Sequence, residues 1–182
     1  MCGENAIKMK TIPVTTDIQK QIVEAQASET WDGLRIVVHR ELFDLRELPC
    51  LIAVFGNCEV FGYCYYRFSN ETEIEIMTIE AMRKNSGVGS LLIGAIVELA
   101  KSSGCHRLYL QTTNDNTNAM RFYQRQGFSM CELRLNELDY SRKLKPSIPL
   151  VGDDDIPLMH EIEFEMILKE HQTPIEAMYA VF

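Results

Sequence analysis

No apolar run in the 182-residue chain approaches the roughly 20 residues needed to cross a bilayer, so no membrane-spanning helix is expected. The opening MCGENAIKMK lacks an apolar core followed by small residues, which argues against a secretory leader. The six cysteines (Cys2, Cys50, Cys58, Cys64, Cys105, Cys131) form no CxxC pair. They show no zinc-like spacing with His39, His106, His160 or His171. They read as reduced thiols, several of them small core residues, in a cytoplasmic protein without a metal. A basic excess is also missing. Eighteen Lys and Arg face 26 Asp and Glu, a net charge of −8, which argues against nucleic acid as a partner and suits a cationic substrate. There is no internal repeat, low-complexity stretch or Pro/Gly/Ser-rich linker. The expectation is one soluble domain, residues 1–182, with 46% apolar and 24% charged residues.

What is present reads as alternating strands and helices. A short strand around residues 12–14 precedes a helix over 16–32, capped by Asp17, with Ile18, Ile22, Ala25 and Trp31 facing inward. Branched, apolar segments 34–39, 51–55 and 60–68 read as strands, the last two joined by a turn at Gly56–Asn57. In EIEIMTIE, residues 73–80, strict alternation puts Ile74, Ile76 and Thr78 on one face and Glu73, Glu75, Met77 and Ile79 on the other. Val88, Leu91, Leu92, Ala95, Ile96, Leu99 and Ala100 recur at helical spacing up to a Gly104 cap. A strand (106–112), a short helix ending at Gln126–Gly127, a strand (130–135), a Pro-punctuated irregular connection and a last strand (160–168) follow. In that last strand Ile162, Phe164, Met166 and Leu168 are expected inward, with Glu161, Glu163 and Glu165 in water. The order is mixed α/β with hairpins and crossovers.

Strand, Gly-x-Gly, helix is a physical recipe for holding an anion. Glycines let backbone N–H groups converge on phosphate oxygens, and the helix N-terminus adds partial positive charge. Gly87 and Gly89 sit at such a junction, just after Arg83 and Lys84. Alone they fit an ordinary strand-to-helix turn equally well. They lack the third glycine of a dinucleotide fingerprint and the Gly-Lys-Ser/Thr of a P-loop.

A second segment weighs against the turn. Asn116-Thr117-Asn118-Ala119-Met120-Arg121-Phe122-Tyr123-Gln124-Arg125-Gln126-Gly127-Phe128 resembles the N-x-x-A-x-x-F-Y-x-x-x-G-F signature of the GNAT superfamily of N-acetyltransferases. Lys84-Asn85-Ser86-Gly87-Val88-Gly89 resembles that family's [Q/R]-x-x-G-x-[G/A] loop, and Met77–Ala81 its L-x-V-x-P strand end. Ala81 stands for the usual proline and Lys84 for the usual Gln or Arg, which keeps a charge but loses the planar fork. The likeness spans residues 51–168, and residues 169–182 form a tail. Residues 141–165 are similar to bacterial-type members of unassigned substrate, with Asp155 where glycine is expected.

The resemblance implies an α/β (α+β) fold with a mostly antiparallel mixed sheet, a splayed central parallel strand pair and flanking helices. It implies acetyl-CoA as co-substrate, no metal, and direct transfer of the acetyl group to an amine. The coenzyme contacts it implies are Met77, Ile79, Lys84, Asn85, Ser86, Gly87, Val88, Gly89, Ser90, Asn114, Asn116, Ala119 and Tyr123. Near Ile79 an N–H would stabilise the thioester oxyanion, worth about 3 kcal/mol in comparable sites. An alkyl amine of pKa near 10.4 is about 99.9% protonated at pH 7, so a general base is useful, and Glu73 and Glu75 are the candidates. Each also reads as an ordinary surface glutamate. Tyr123 is the candidate acid for the departing thiolate or, equally simply, a packing residue. Asn116 either binds the coenzyme or caps its helix. Cys105 and Cys131 lack an evident His or acid partner and read as core. A non-catalytic CoA-binding protein on the same fold and a nucleotide-binding enzyme are the rival readings. The acceptor, a small molecule or a peptide amine, is not named by the sequence. The apolar end, 175–182, suits packing on the domain or a homodimer.

Overall fold

A computed structural model describes residues 9–56, 59–83 and 86–168. The expectations at Cys2, Cys58, Lys84, Asn85, His171 and the 169–182 tail lie outside them. Among the described residues, nine strands and four helices follow in the order β1 (Lys10–Pro13), α1 (Asp17–Thr30), β2 (Arg35–Val38), β3 (Glu41–Asp44), β4 (Cys50–Phe55), β5 (Glu59–Asn70), β6 (Glu73–Ala81), α2 (Val88–Ser102), β7 (Arg107–Thr113), α3 (Thr117–Arg125), β8 (Ser129–Arg134), α4 (Glu137–Leu144) and β9 (Glu161–Ile167). Seven strands form one sheet in the order β1-β4-β5-β6-β7-β9-β8. Every pairing in it is antiparallel except β6 with β7. The mixed, mostly antiparallel sheet with a central parallel pair is therefore the observed architecture.

Two apolar layers sandwich the sheet. On one face α2 and α3 pack over Ile74, Ile76, Leu108, Leu110 and Phe164, with Leu92, Ile96 and Ala100 as the inward stripe of α2. On the other face α1 contributes Val23 and Ala27 to a cluster with Ile36, Ile52, Tyr63, Tyr65 and Met77. The stripe of α1 differs from the expected one: Ile18, Ile22 and Trp31 are exposed. Thr16, not Asp17, caps this helix, in a reciprocal box with Gln19.

Two elements were not expected. β2, within the strand expected at 34–39, pairs with the unexpected β3 in a separate hairpin whose tip is His39–Arg40, both at positive φ (51° and 63°). Two-residue hairpin turns require this left-handed backbone, and neither residue is the Gly or Asn that normally signals it. The connection after β8 holds α4, whose buried residues are Glu137, Leu138 and Ser141. A stripe so polar gives no apolar periodicity. Asp155, at a position where glycine was expected, has φ 59°, the conformation in which glycine is favoured.

Candidate active site

The cavity that matters is opened by one extra residue. In the β5–β6 ladder Tyr65 faces Thr78 and Tyr66 faces Ile76, so Met77 is a β-bulge. A bulge bends its strand and increases local twist. The parallel β6–β7 pairing ends at Ile76 and Leu110, the pair adjacent to it. Beyond that point the strands diverge around a cavity of about 500 Å³, walled by residues 76–80 and 110–113, by α1's end, and by Ala119 and Tyr123 of α3. The bulge also inverts the expected alternation. Ile79, not Thr78, joins Ile74 and Ile76 on the α2 face. Thr78 and Glu80 face the other way, opposite Tyr65 and Tyr63, with Glu80 accepting from the Tyr63 hydroxyl at 2.6 Å. Thr78 is buried in the cavity wall, and its Oγ1 has no hydrogen-bond partner among the described residues.

Glycines bring α2 close to this opening. Gly87 precedes the helix at φ 78°, a conformation that strains any side chain. A Cβ on Gly89 would stand 2.9 Å from the Phe122 ring of α3, and one on Gly62 would meet Val88 at 2.5 Å. The first intrahelical bond runs from the Leu91 N–H to the Gly87 carbonyl, so the amides of residues 88–90 have no partner within the helix. Asn116 caps α3 by accepting from the Ala119 N–H at 3.0 Å, and it also lines the cavity. Tyr123 projects from α3 into the cavity wall against Phe122, Phe128 and Phe164, and burial raises its pKa.

Over β6, β7 and β9 the sheet face opposite α2 is polar. Glu75 is 1% exposed. His39 contacts one of its oxygens at 2.9 Å and Arg67 the other at 2.7 Å. Burial pushes its carboxyl up, but hydrogen bonds and charge from His39 and Arg67 outweigh that, and the pKa is lowered. Arg134 donates to His39 Nδ1 at 2.7 Å, leaving Nε2 to donate to Glu75. Glu73 sits at the start of β6, bonded to Asn70 at 3.0 Å and 3.7 Å from Arg107. Glu163 is held by Arg107 and Arg134 at 2.5 and 2.6 Å. Glu161 and Glu163 were expected in water. They are 6% and 5% exposed, because the hairpin tip and α4 cover this face, Arg40 binding Glu137 at 2.6 and 2.8 Å. Burial and the neighbouring Glu137 raise the Glu161 pKa to about 7.

Of the residues nominated from sequence, Met77, Ile79, Asn116, Ala119 and Tyr123 meet in the cavity wall. Ser86, Gly87, Val88 and Gly89 form the entry into α2, and Ser90 lines a separate groove between α2 and β1. Asn114 is occupied elsewhere: it donates to the Pro157 carbonyl and accepts from the Met159 and His160 amides. Glu73 and Glu75 lie on the polar face and are not part of the wall. Cys105 is buried as expected, whereas Cys131 is exposed on β8. His39 and Gln111 carried no site signal in the sequence, and Thr78 was expected on the opposite face. The last-strand glutamates, Glu161 among them, read either as attracting an amine or as simply solvated, and at 6% exposure Glu161 is not solvated.

The same architecture recurs in known proteins. The family model described as "Acetyltransferase (GNAT) family" matches residues 18–128. The chain belongs to this family. YdhI, an uncharacterized protein of Bacillus subtilis (strain 168), is 31% identical over 160 residues, covering 88% of this chain and 99% of YdhI. Streptothricin acetyltransferase of Streptomyces lavendulae is 27% identical over 85 residues, 45% of each chain. Among solved structures, a GNAT family acetyltransferase from Elizabethkingia anophelis with acetyl-CoA bound superimposes with a TM-score of 0.66 at 20% identity, covering 88% of this chain and 98% of that one.

Proposed function

We propose that the protein moves an acetyl group from acetyl-CoA to an amine by direct attack in a ternary complex. The observation that carries this reading is the opening between β6 and β7 beyond Ile76 and Leu110, with the unpaired N-terminal amides of α2 nearby. Those amides suit the pyrophosphate of a coenzyme. The splayed strand end suits an extended pantetheine arm, with Met77 and Ile79 at the thioester. The acetyl-CoA-bound relative of the same fold and the streptothricin acetyltransferase support the reading. Tyr123, in the wall, is the proposed proton donor to the departing thiolate. The other nominated coenzyme contacts, including Lys84, Asn85, Ser90 and Asn114, remain proposals on the family resemblance.

Thermal melting with acetyl-CoA, with ATP and NAD as controls, tests the coenzyme. A ligand at 100 times its dissociation constant adds about 2.7 kcal/mol, so a saturable rise with acetyl-CoA alone is expected. No rise at millimolar acetyl-CoA overturns the reading. Transfer is then read as amine-dependent release of free thiol. A second reading, a CoA-binding protein without turnover, draws on the ion pairs that hold both Glu73 and Glu75. It predicts the melting shift without thiol release.

A further inference from the structure

We propose that Glu161 of β9 is the base that takes the proton from a cationic acceptor amine in the cavity, a proposal that rests on the acetyl-transfer reading above. Four carboxylates line the cavity, with a single Lys. Three are accounted for. Asp32 is exposed to water, Glu80 accepts from Tyr63 and Thr30 at 2.6 and 2.7 Å, and Asp115 accepts from Thr113 and from the Asp153 N–H. Lys145 is turned onto the Trp31 and Arg35 carbonyls. Glu161 is different. It is 6% exposed and forms no ion pair among the described residues. Its partner is the neutral Gln111 amide, whose Nε2 donates at 2.7 Å when its Oε1 faces Arg134. A buried carboxylate in a cavity wall whose direct partner is a neutral amide is a site for a cation from outside.

Geometry separates Glu161 from the carboxylates of β6. Glu161 pairs in register with Thr113 of β7, beyond the point where β6 and β7 part, and it lines the space between them. Both Glu75 oxygens are already bound. The charged groups around Glu161 come from every covering element: Glu137 of α4 and Glu75 of β6 favour its protonated form, and Arg134 of β8 and His39 of the hairpin tip favour its charged form. The balance leaves a carboxyl at about 7 instead of 4.5, a base roughly 300-fold stronger than an ordinary glutamate and suited to work at neutral pH.

The step balances as follows. The Glu161 carboxylate takes one proton from R–NH3+, leaving R–NH2 and a neutral carboxyl. The nitrogen lone pair forms the C–N bond at the thioester carbonyl. The C–S bond then breaks with its electron pair on sulfur, and the second nitrogen proton passes to the thiolate, by way of Tyr123. Glu161 returns its proton to water, so one amide, one free CoA thiol and one proton are formed.

The test is the pH dependence of kcat/KM for wild type, Glu161→Gln and Glu161→Asp over a panel of cationic amines, with acetyl-CoA melting shifts measured alongside. Wild type should show an acid limb near pH 7. Glu161→Gln should lose about 10²- to 10⁴-fold in kcat, lack that limb, gain rate as the amine itself deprotonates, and keep its acetyl-CoA shift. Glu161→Asp should recover part of the loss and restore the limb. A Glu161→Gln enzyme within threefold of wild type, or one that retains the limb, overturns the base while leaving acetyl transfer standing. Acetyl-CoA binding by wild type with no turnover of any amine overturns both.

Discussion

Glu75 and Glu161 occupy the same polar face of one sheet, both nearly inaccessible to water, and their carboxyls move in opposite directions. The difference is what each touches. Glu75 has His39 and Arg67, so its charged form is favoured in the folded chain. That stabilisation is present above its unfolded value near 4.5 and is lost as pH falls through the lower folded value. Glu161 is the reverse case. The folded chain holds its proton more tightly than the unfolded chain, so its contribution is complete below about pH 4.5 and is lost as pH rises through about 7. At pH 8 the accumulated cost is about 3 kcal/mol. Glu161→Gln should therefore stabilise the protein at pH 8 by up to about 3 kcal/mol and change little at pH 5, measured by urea denaturation at both. Glu75→Gln should destabilise by about 3 kcal/mol at neutral pH, because it leaves Arg67 without its partner, and less in acid. A catalytic carboxylate that weakens the fold at working pH is a common exchange of stability for function.

Among the elements, the scaffold of the proposed coenzyme site was the legible part. α2 and α3 carry their signals in sequence: an unbroken apolar stripe, Gly87, Gly89 and the Asn116 cap, each tied to a local backbone requirement. Gly87→Ala is expected to lose about 1 kcal/mol from its left-handed φ and to weaken acetyl-CoA binding, read by melting with and without the coenzyme. What stayed hidden was whatever tertiary contacts impose. Alternation along β6 fails at Met77 because a bulge depends on the partner strand's register, which no single segment encodes. The turn and β3 of the hairpin were unreadable because His39 and Arg40 adopt the turn without Gly or Asn, held by a hydrogen bond to Glu75 and an ion pair to Glu137 that lie far along the chain. Glu161 looked solvent-facing because its cover, α4 and that hairpin, was itself invisible. The hairpin's dependence on those contacts is testable. His39→Ala should speed amide hydrogen exchange across β2 and β3 while leaving β5, β6 and β7 protected. Uniform protection in the variant would mean that packing of Ile36, not the His39–Glu75 hydrogen bond, holds the hairpin.

At the scale of the whole molecule, the two proposed substrates meet the same field with opposite signs. A chain of net charge −8 repels an anionic coenzyme at long range, and the local amides at the start of α2 oppose that on contact. The same field draws a cationic amine toward a cavity lined by Asp32, Glu80, Asp115 and Glu161. Salt shortens the reach of both effects, from a screening length of about 10 Å at 0.1 M to about 3 Å at 1 M. Raising ionic strength should therefore lower kcat/KM for a cationic amine several-fold and raise, or leave unchanged, kcat/KM for acetyl-CoA. An uncharged thiol-ester donor of the pantetheine type should lose that second dependence and keep the first. If the amine's kcat/KM proved indifferent to salt, the acceptor would be bound through apolar contacts with Ile36, Val38 and Trp31, and the acidic lining would have no part in choosing it.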